Sequence, residues 1–225
     1  MPAAARVLER YLPRRTVCAS ATKAYNRVFM GLTRAIRRDG ATAAVVRSHL
    51  AGLQSVTDAW PSDEQFTEAW MTGHAYSALN NGRIVYILSK LSETYRNSKT
   101  EQLKVTGQLT VEHLMPQAWV AHWLLSDGSR GINNPWSVPA DDPQALATRA
   151  RSAIVQTFGN LTLITGSLNS AISNGAWATK RAAIEANSLL PINLQLRSAE
   201  TWDEVAIERR GRDLLCRALK LWPRG

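Results

Sequence analysis

Two cysteines, Cys18 and Cys216, are all the chain has, near opposite ends and with no C-x-x-C pair anywhere. That excludes a zinc ribbon and a disulfide framework, and the expected compartment is a reducing one, the cytoplasm. No apolar run approaches the roughly 18–20 residues that span a bilayer. The Ala-rich start, Met1-Pro2-Ala3-Ala4-Ala5, is broken by Arg6, Glu9 and Arg10 before a signal-peptide core can form. Neither membrane spanning nor secretion is expected. A Gly-rich phosphate loop is missing too, so nucleotide hydrolysis has no seat in these residues. There is no internal repeat and no low-complexity segment. What is present suits a packed core: 45% of the 225 residues are apolar and 20% charged, enough for one large domain or two small ones.

Acidic residues are scarce where basic ones are dense. The formal net charge is +9, and residues 1–50 hold ten basic side chains against two acidic. A basic balance of this size suits a polyanion, because each Lys or Arg that neutralises a phosphate releases a counterion. The competing reading makes Arg6, Arg10, Arg14, Arg15, Arg27, Arg34, Arg37 and Arg38 solvated helix faces.

Residues 3 to about 98 read as helical, with Val45, Val46, Leu50 and Leu53 recurring three and four apart. A turn at Trp60-Pro61-Ser62-Asp63 starts a helix with Ser62 or Asp63 as cap and Phe66, Ala69 and Trp70 on one face. Another helix runs through Ile84, Ile87, Leu88 and Leu91. Asn97-Ser98-Lys99-Thr100 reads as a hinge. After it Leu103, Val105, Leu109 and Val111 alternate with polar neighbours as in a strand. The expected domains are therefore 1–105, helical and basic, and 106–225. The stretch from Pro116 to about Arg151 is dense in turn residues and reads as a long insertion. A second strand follows at Leu161-Thr162-Leu163-Ile164-Thr165, then helix from Ser167 to Ala186. The last helix starts at Thr201, with Glu204 at capping-box spacing, and runs towards Leu221.

The segment from 109 to 181 carries the chemistry. It reads T-V-E-H-L-M-P-Q at 110–117, F-G-N-L-T-L-I at 158–164, S-L-N-S at 167–170 and G-A-W-A-T-K-R at 175–181. His113 ends a strand, and a neutral imidazole takes a proton from water at cellular pH, which suits a general base. Glu112 faces away from His113 in a regular strand, so the two share a site only where the strand is irregular. Asn160 follows Gly159 at the start of the second strand, where an amide can tie the loop around His113 together. Asn169 offers a carbonyl oxygen, a hard ligand for Mg²⁺. Turn and cap roles are the plainer readings of both asparagines. Trp119, Trp123 and Trp136 read as core or as base-stacking residues.

These four ordered motifs resemble the His-Asn-His (HNH) nuclease domain that closes GmrSD-type modification-dependent restriction enzymes, over about residues 106–222. The resemblance implies an α+β, mainly α fold: a helical N-terminal region, then a ββα-metal core of the HNH or His-Me finger kind with a long insertion and a C-terminal helix. It implies a metal-dependent DNA endonuclease of nicking type. Here His113 is the base, Asn160 the middle Asn, and Glu112 and Asn169 the ligands of one Mg²⁺ or Mn²⁺. Lys180 and Arg181 would hold a flanking phosphate. The implied partner is double-stranded DNA from phage. An NTP-hydrolysing, modification-sensing domain would belong to the parent protein, and a homodimer would serve double-strand cutting. The alternative is a basic nucleic-acid-binding module with an inactive nuclease site.

Overall fold

The structure, a computed structural model, describes residues 2–96, 105, 107–172 and 174–225. The hinge expected at Asn97-Ser98-Lys99-Thr100, and Leu103 of the expected strand, lie outside the described residues. Two compact units divide the chain: Met1–Trp70 with Leu215–Gly225, and Met71–Leu214. The reading from sequence drew its line at 105/106 instead.

The first unit is helical, with α1 (Ala3–Val17), α2 (Tyr25–Asp39), α3 (Ala43–Ala51) and the start of α4 (Asp63–Thr72). Apolar residues at helical spacing, Val7 and Tyr11, Val28 and Leu32, Val46 and Leu50, meet with Trp60 in one core. Thr42 caps α3 by accepting from Val45 N at 3.2 Å. Ser62 caps α4 by accepting from Gln65 N, and Gln65 Oε1 in turn accepts from Ser62 N at 2.9 Å, a reciprocal capping box. Two arginines are interior. Arg14 donates to Pro61 O, Trp222 O and the Asp63 carboxylate, while Arg15 donates to the carbonyls of Ala21, Thr57 and Ala59. Both are fully buried, so neither is a solvated face nor a phosphate contact. A guanidinium has five donors, and several carbonyls are needed to offset its lost hydration.

The second unit holds α5 (Ala75–Ala78), α6 (Asn81–Glu93), β1 (Leu109–His113), α7 (Pro143–Val155), β2 (Leu161–Thr165), α8 (Gly166–Ile172), α9 (Trp177–Asn187), α10 (Pro191–Leu194) and most of α11 (Glu204–Leu221). It is mostly helical around a two-stranded sheet. β1 and β2 pair antiparallel from Leu109↔Thr165 to His113↔Leu161 without a bulge. Helices α6 and α8 pack on both strands, and α10 on β2. Trp119, Ile164, Leu168, Ile172, Trp177, Ile184, Trp202 and Ile207 build the core. Among the described residues no helix is long and apolar enough to cross a membrane.

Three expectations about local structure are corrected. The insertion is not all turns: Asp142 accepts from Ala145 N at 2.8 Å, Pro143 fills the first helical position, and α7 follows. The helix expected over 167–186 is two, α8 and α9. The last helix is capped by Asp203, which accepts from Ala206 N, and not by Thr201. Glu204 is drawn off to Arg151, 2.8 Å from its Nη2.

Candidate active site

The loop before β2 is built around close backbone approach. A Cβ on Gly159 would lie 2.3 Å from the carbonyl oxygen of Ile207 on α11, so only glycine fits between loop and helix. Arg210, one turn further along α11, donates to the carbonyls of Gly159 and Leu161, each at 2.8 Å. Its complete burial lowers its pKa to about 10. The next residue, Asn160, is fully buried and uses its whole amide. Its Nδ2 donates to Met115 O (2.8 Å) and Val155 O (3.0 Å), and its Oδ1 accepts from Met115 N (2.8 Å) and Trp202 Nε1 (3.0 Å). With Leu114 N on Asn160 O at 2.9 Å, the backbone immediately after His113 is held at both following residues.

His113 closes β1 with 6% of its surface exposed. Its ring meets that of Tyr76 edge-on, with centroids 4.3 Å apart. Burial lowers its pKa to about 4; hydrogen bonding with the Gln156 side chain opposes this, and the Lys180 charge adds to the lowering. The imidazole is therefore neutral at cellular pH. Its Nε2 is buried and, among the described residues, meets no hydrogen-bond partner at normal geometry, the Gln156 side chain being the polar group beside the ring. Such an atom either costs free energy or receives a ligand, and water is the simplest one.

Because β1 is regular to its end, Glu112 faces the opposite side of the hairpin from His113. There the Lys180 ammonium of α9 donates to Glu112 Oε1 and, at 2.7 Å, to the backbone oxygen of His113. Glu112 is 8% exposed and Lys180 0%. Burial pushes Glu112 up and Lys180 down, each towards its neutral form, and their mutual attraction opposes both shifts. Asn169 donates from Nδ2 to Thr110 Oγ1 at 3.1 Å, on the Glu112 face and one pleat away. The implied metal pair thus shares a face, and the implied base lies on the other.

This arrangement does not fit a divalent ion. The Glu112 carboxylate is already matched by an ammonium, and among the described residues no three His, Cys, Asp or Glu side chains gather to hold a cation. The phosphate role expected of Lys180 meets the same fact, since its ammonium is enclosed. Arg181 is half-buried and donates to Ala199 O at 3.2 Å. Trp119 is core, beneath the Arg151 guanidinium, whereas Trp136 is 77% exposed with Arg149 over its ring.

The family described as GmrSD restriction endonucleases, C-terminal domain, matches residues 60–216. The chain belongs to that family. It therefore contains a nuclease domain of restriction-endonuclease type, whose substrate is DNA. No curated protein and no solved structure matches the chain. The GmrSD C-terminal match contains Glu112, His113, Asn160, Asn169, Lys180 and Arg181, and the basic stretch over residues 1–50 lies outside it. Four residues that order this candidate site were not candidates from sequence in these roles: Tyr76, Gln156, Trp202 and Lys180, the last as partner of Glu112. Arg210 was not a candidate from sequence either; it follows Arg209 and precedes Gly211-Arg212 in the last helix.

Proposed function

We propose that the second unit hydrolyses DNA phosphodiesters by an HNH-type mechanism with His113 as general base. The observation that carries this reading is the neutral imidazole whose Nε2 is buried and, among the described residues, without a partner at normal hydrogen-bond geometry, mounted on a backbone segment that Asn160 clamps. Water bound at Nε2 gives its proton to the ring as its oxygen attacks phosphorus in line, and the bond from phosphorus to the 3′ oxygen breaks. Asn160 is a positioning residue: it fixes where the strand ends, and with it the ring. Lys180 holds the His113 carbonyl and Glu112 on the far face. The ion that the family resemblance implies would require Glu112 to release Lys180, so no step is derived through it. One such site nicks one strand, and linear product needs two encounters or two copies.

Plasmid nicking by the wild type, His113→Ala and Asn169→Ala tests the reading, with Mg²⁺, with Mn²⁺ and with chelator, beside a DNA-binding assay. Loss of a general base lowers the rate by about 10²–10⁴. His113→Ala is expected to lose at least 100-fold in cleavage while binding DNA as the wild type does. Equal cleavage by both would refute the role of His113. A second reading, a DNA-binding module with an inactive site, draws on the enclosure of His113 and the Glu112–Lys180 pair. It wins if the wild type binds DNA and cuts under none of these conditions.

A further inference from the structure

The basic residues of the first unit separate into two classes. Arg14 and Arg15 are interior ties. Those of α2 are exposed, and the helix sorts them by face. At about 100° per residue, Arg27, Arg34 and Arg38 fall within roughly 40° of one another, with Met30 and Arg37 alongside. Lys23, in the turn just before the helix, is exposed as well. Val28 and Leu32 point the other way and are buried. Arg34 and Arg37 are exposed, and the side chains of Arg27 and Arg38 are 68% and 77% exposed. The acidic counterparts are Asp58, paired with Arg27 at 2.6 Å, and Asp39, paired with Arg38 at 2.8 Å. Met30, 59% exposed, is the apolar residue on this face.

We infer that this outward face of α2 is a phosphate-contact surface that binds the DNA duplex on which the nuclease unit acts. The inference rests on the DNA-hydrolase reading above, and it concerns a helix outside the family match. At about 1.5 Å per residue, Arg27 and Arg34 are about 10 Å apart along the axis, and Arg34 and Arg38 about 6 Å. The row of about 16 Å covers about five steps of a duplex, which presents one phosphate per strand every 3.4 Å or so. Guanidinium groups suit phosphate oxygens because they donate in two-point fashion. A single exposed methionine offers no apolar edge for insertion into lipid, which disfavours an anionic membrane as the occupant.

The test uses the full chain and a short fluorescent DNA duplex, with affinity measured between about 50 and 200 mM salt. Arg34→Gln, Arg37→Gln and Arg38→Gln are combined. Arg27 is kept, because its removal would leave the buried Asp58 carboxylate without its cation. The triple variant is expected to bind roughly 10- to 100-fold more weakly and to lower the slope of log affinity against log salt by about 2 to 3. The corresponding triple Lys variant should bind nearly as the wild type does, and an unchanged melting temperature shows the fold intact. Unchanged affinity and slope in the Gln variant would overturn the inference. So would wild-type binding to phosphatidylcholine–phosphatidylserine vesicles with none to DNA. Cleavage separates the two readings. A wild type that cuts, beside a triple variant that binds normally, sinks the α2 surface alone. A wild type that binds through α2 and never cuts sinks the hydrolase alone.

Discussion

Replacing Lys180 with Met removes the cation from Glu112 and leaves a carboxylate that is 8% exposed with no charge to match it. Such a carboxylate escapes by taking up a proton. Uptake of that proton limits the electrostatic penalty at pH 7 to about 3 kcal/mol, the lower end of what breaking a buried pair costs. The lost bond to the His113 carbonyl adds about 1 kcal/mol. The expected destabilisation is thus about 4 kcal/mol, within the range seen when one member of a buried pair is removed. The pH dependence follows from the sign. In the variant the folded-state pKa of Glu112 is raised above its unfolded value, so stability is full below about 4.5 and declines as pH rises towards the raised value. Lys180→Met should therefore be less destabilised relative to wild type at pH 5 than at pH 7. Urea unfolding followed by circular dichroism at both pH values measures this, and the double variant Glu112→Gln, Lys180→Met should regain most of the loss at pH 7. A single variant that loses less than about 1 kcal/mol, equally at pH 7 and 5, would refute the reasoning.

Asn160→Asp keeps the shape but cannot donate to Met115 O or Val155 O. At about 1–3 kcal/mol for each buried acceptor left open, it should cost about 2–6 kcal/mol in urea unfolding and reduce nicking as well. His113 should give the protein an acid-sensitive limb. Its folded pKa of about 4 lies below the unfolded 6.5, so its contribution is full above 6.5 and lost as pH falls through 4. That is about 3 kcal/mol, and stability measured across this window should flatten in His113→Gln. Gly159→Ala must push its Cβ away from the Ile207 carbonyl. A melting temperature several degrees lower is expected, from overpacking of about 1–3 kcal/mol.

The two strands were legible because they are short, β-rich and bounded by turn residues, and β2 runs over the residues its pattern indicated. A tie through Asn160 was one reading of an amide next to glycine before a strand, beside the plainer turn and cap readings, and its four hydrogen bonds decide for the tie. The partner of Glu112 was not. Lys180 lies 68 positions away, and nothing local distinguishes a lysine that enters a core from one that reaches for a phosphate. The same blindness applied to Arg14 and Arg15, since a tally of charge counts residues without their exposure. Helix α7 was overlooked because the turn signals before it were dense, although Asp142-Pro143 is itself a helix start.

The ties that order the loop of Asn160 come from the far end of the chain, from Trp202 and Arg210. A ribosome making this protein therefore finishes both strands and the histidine long before it supplies the indole and guanidinium that settle them. Any product released short of position 210 lacks the guanidinium, and one released short of 202 lacks both. For a member of a restriction-endonuclease family, an unfinished copy thereby lacks the side chains that settle this loop.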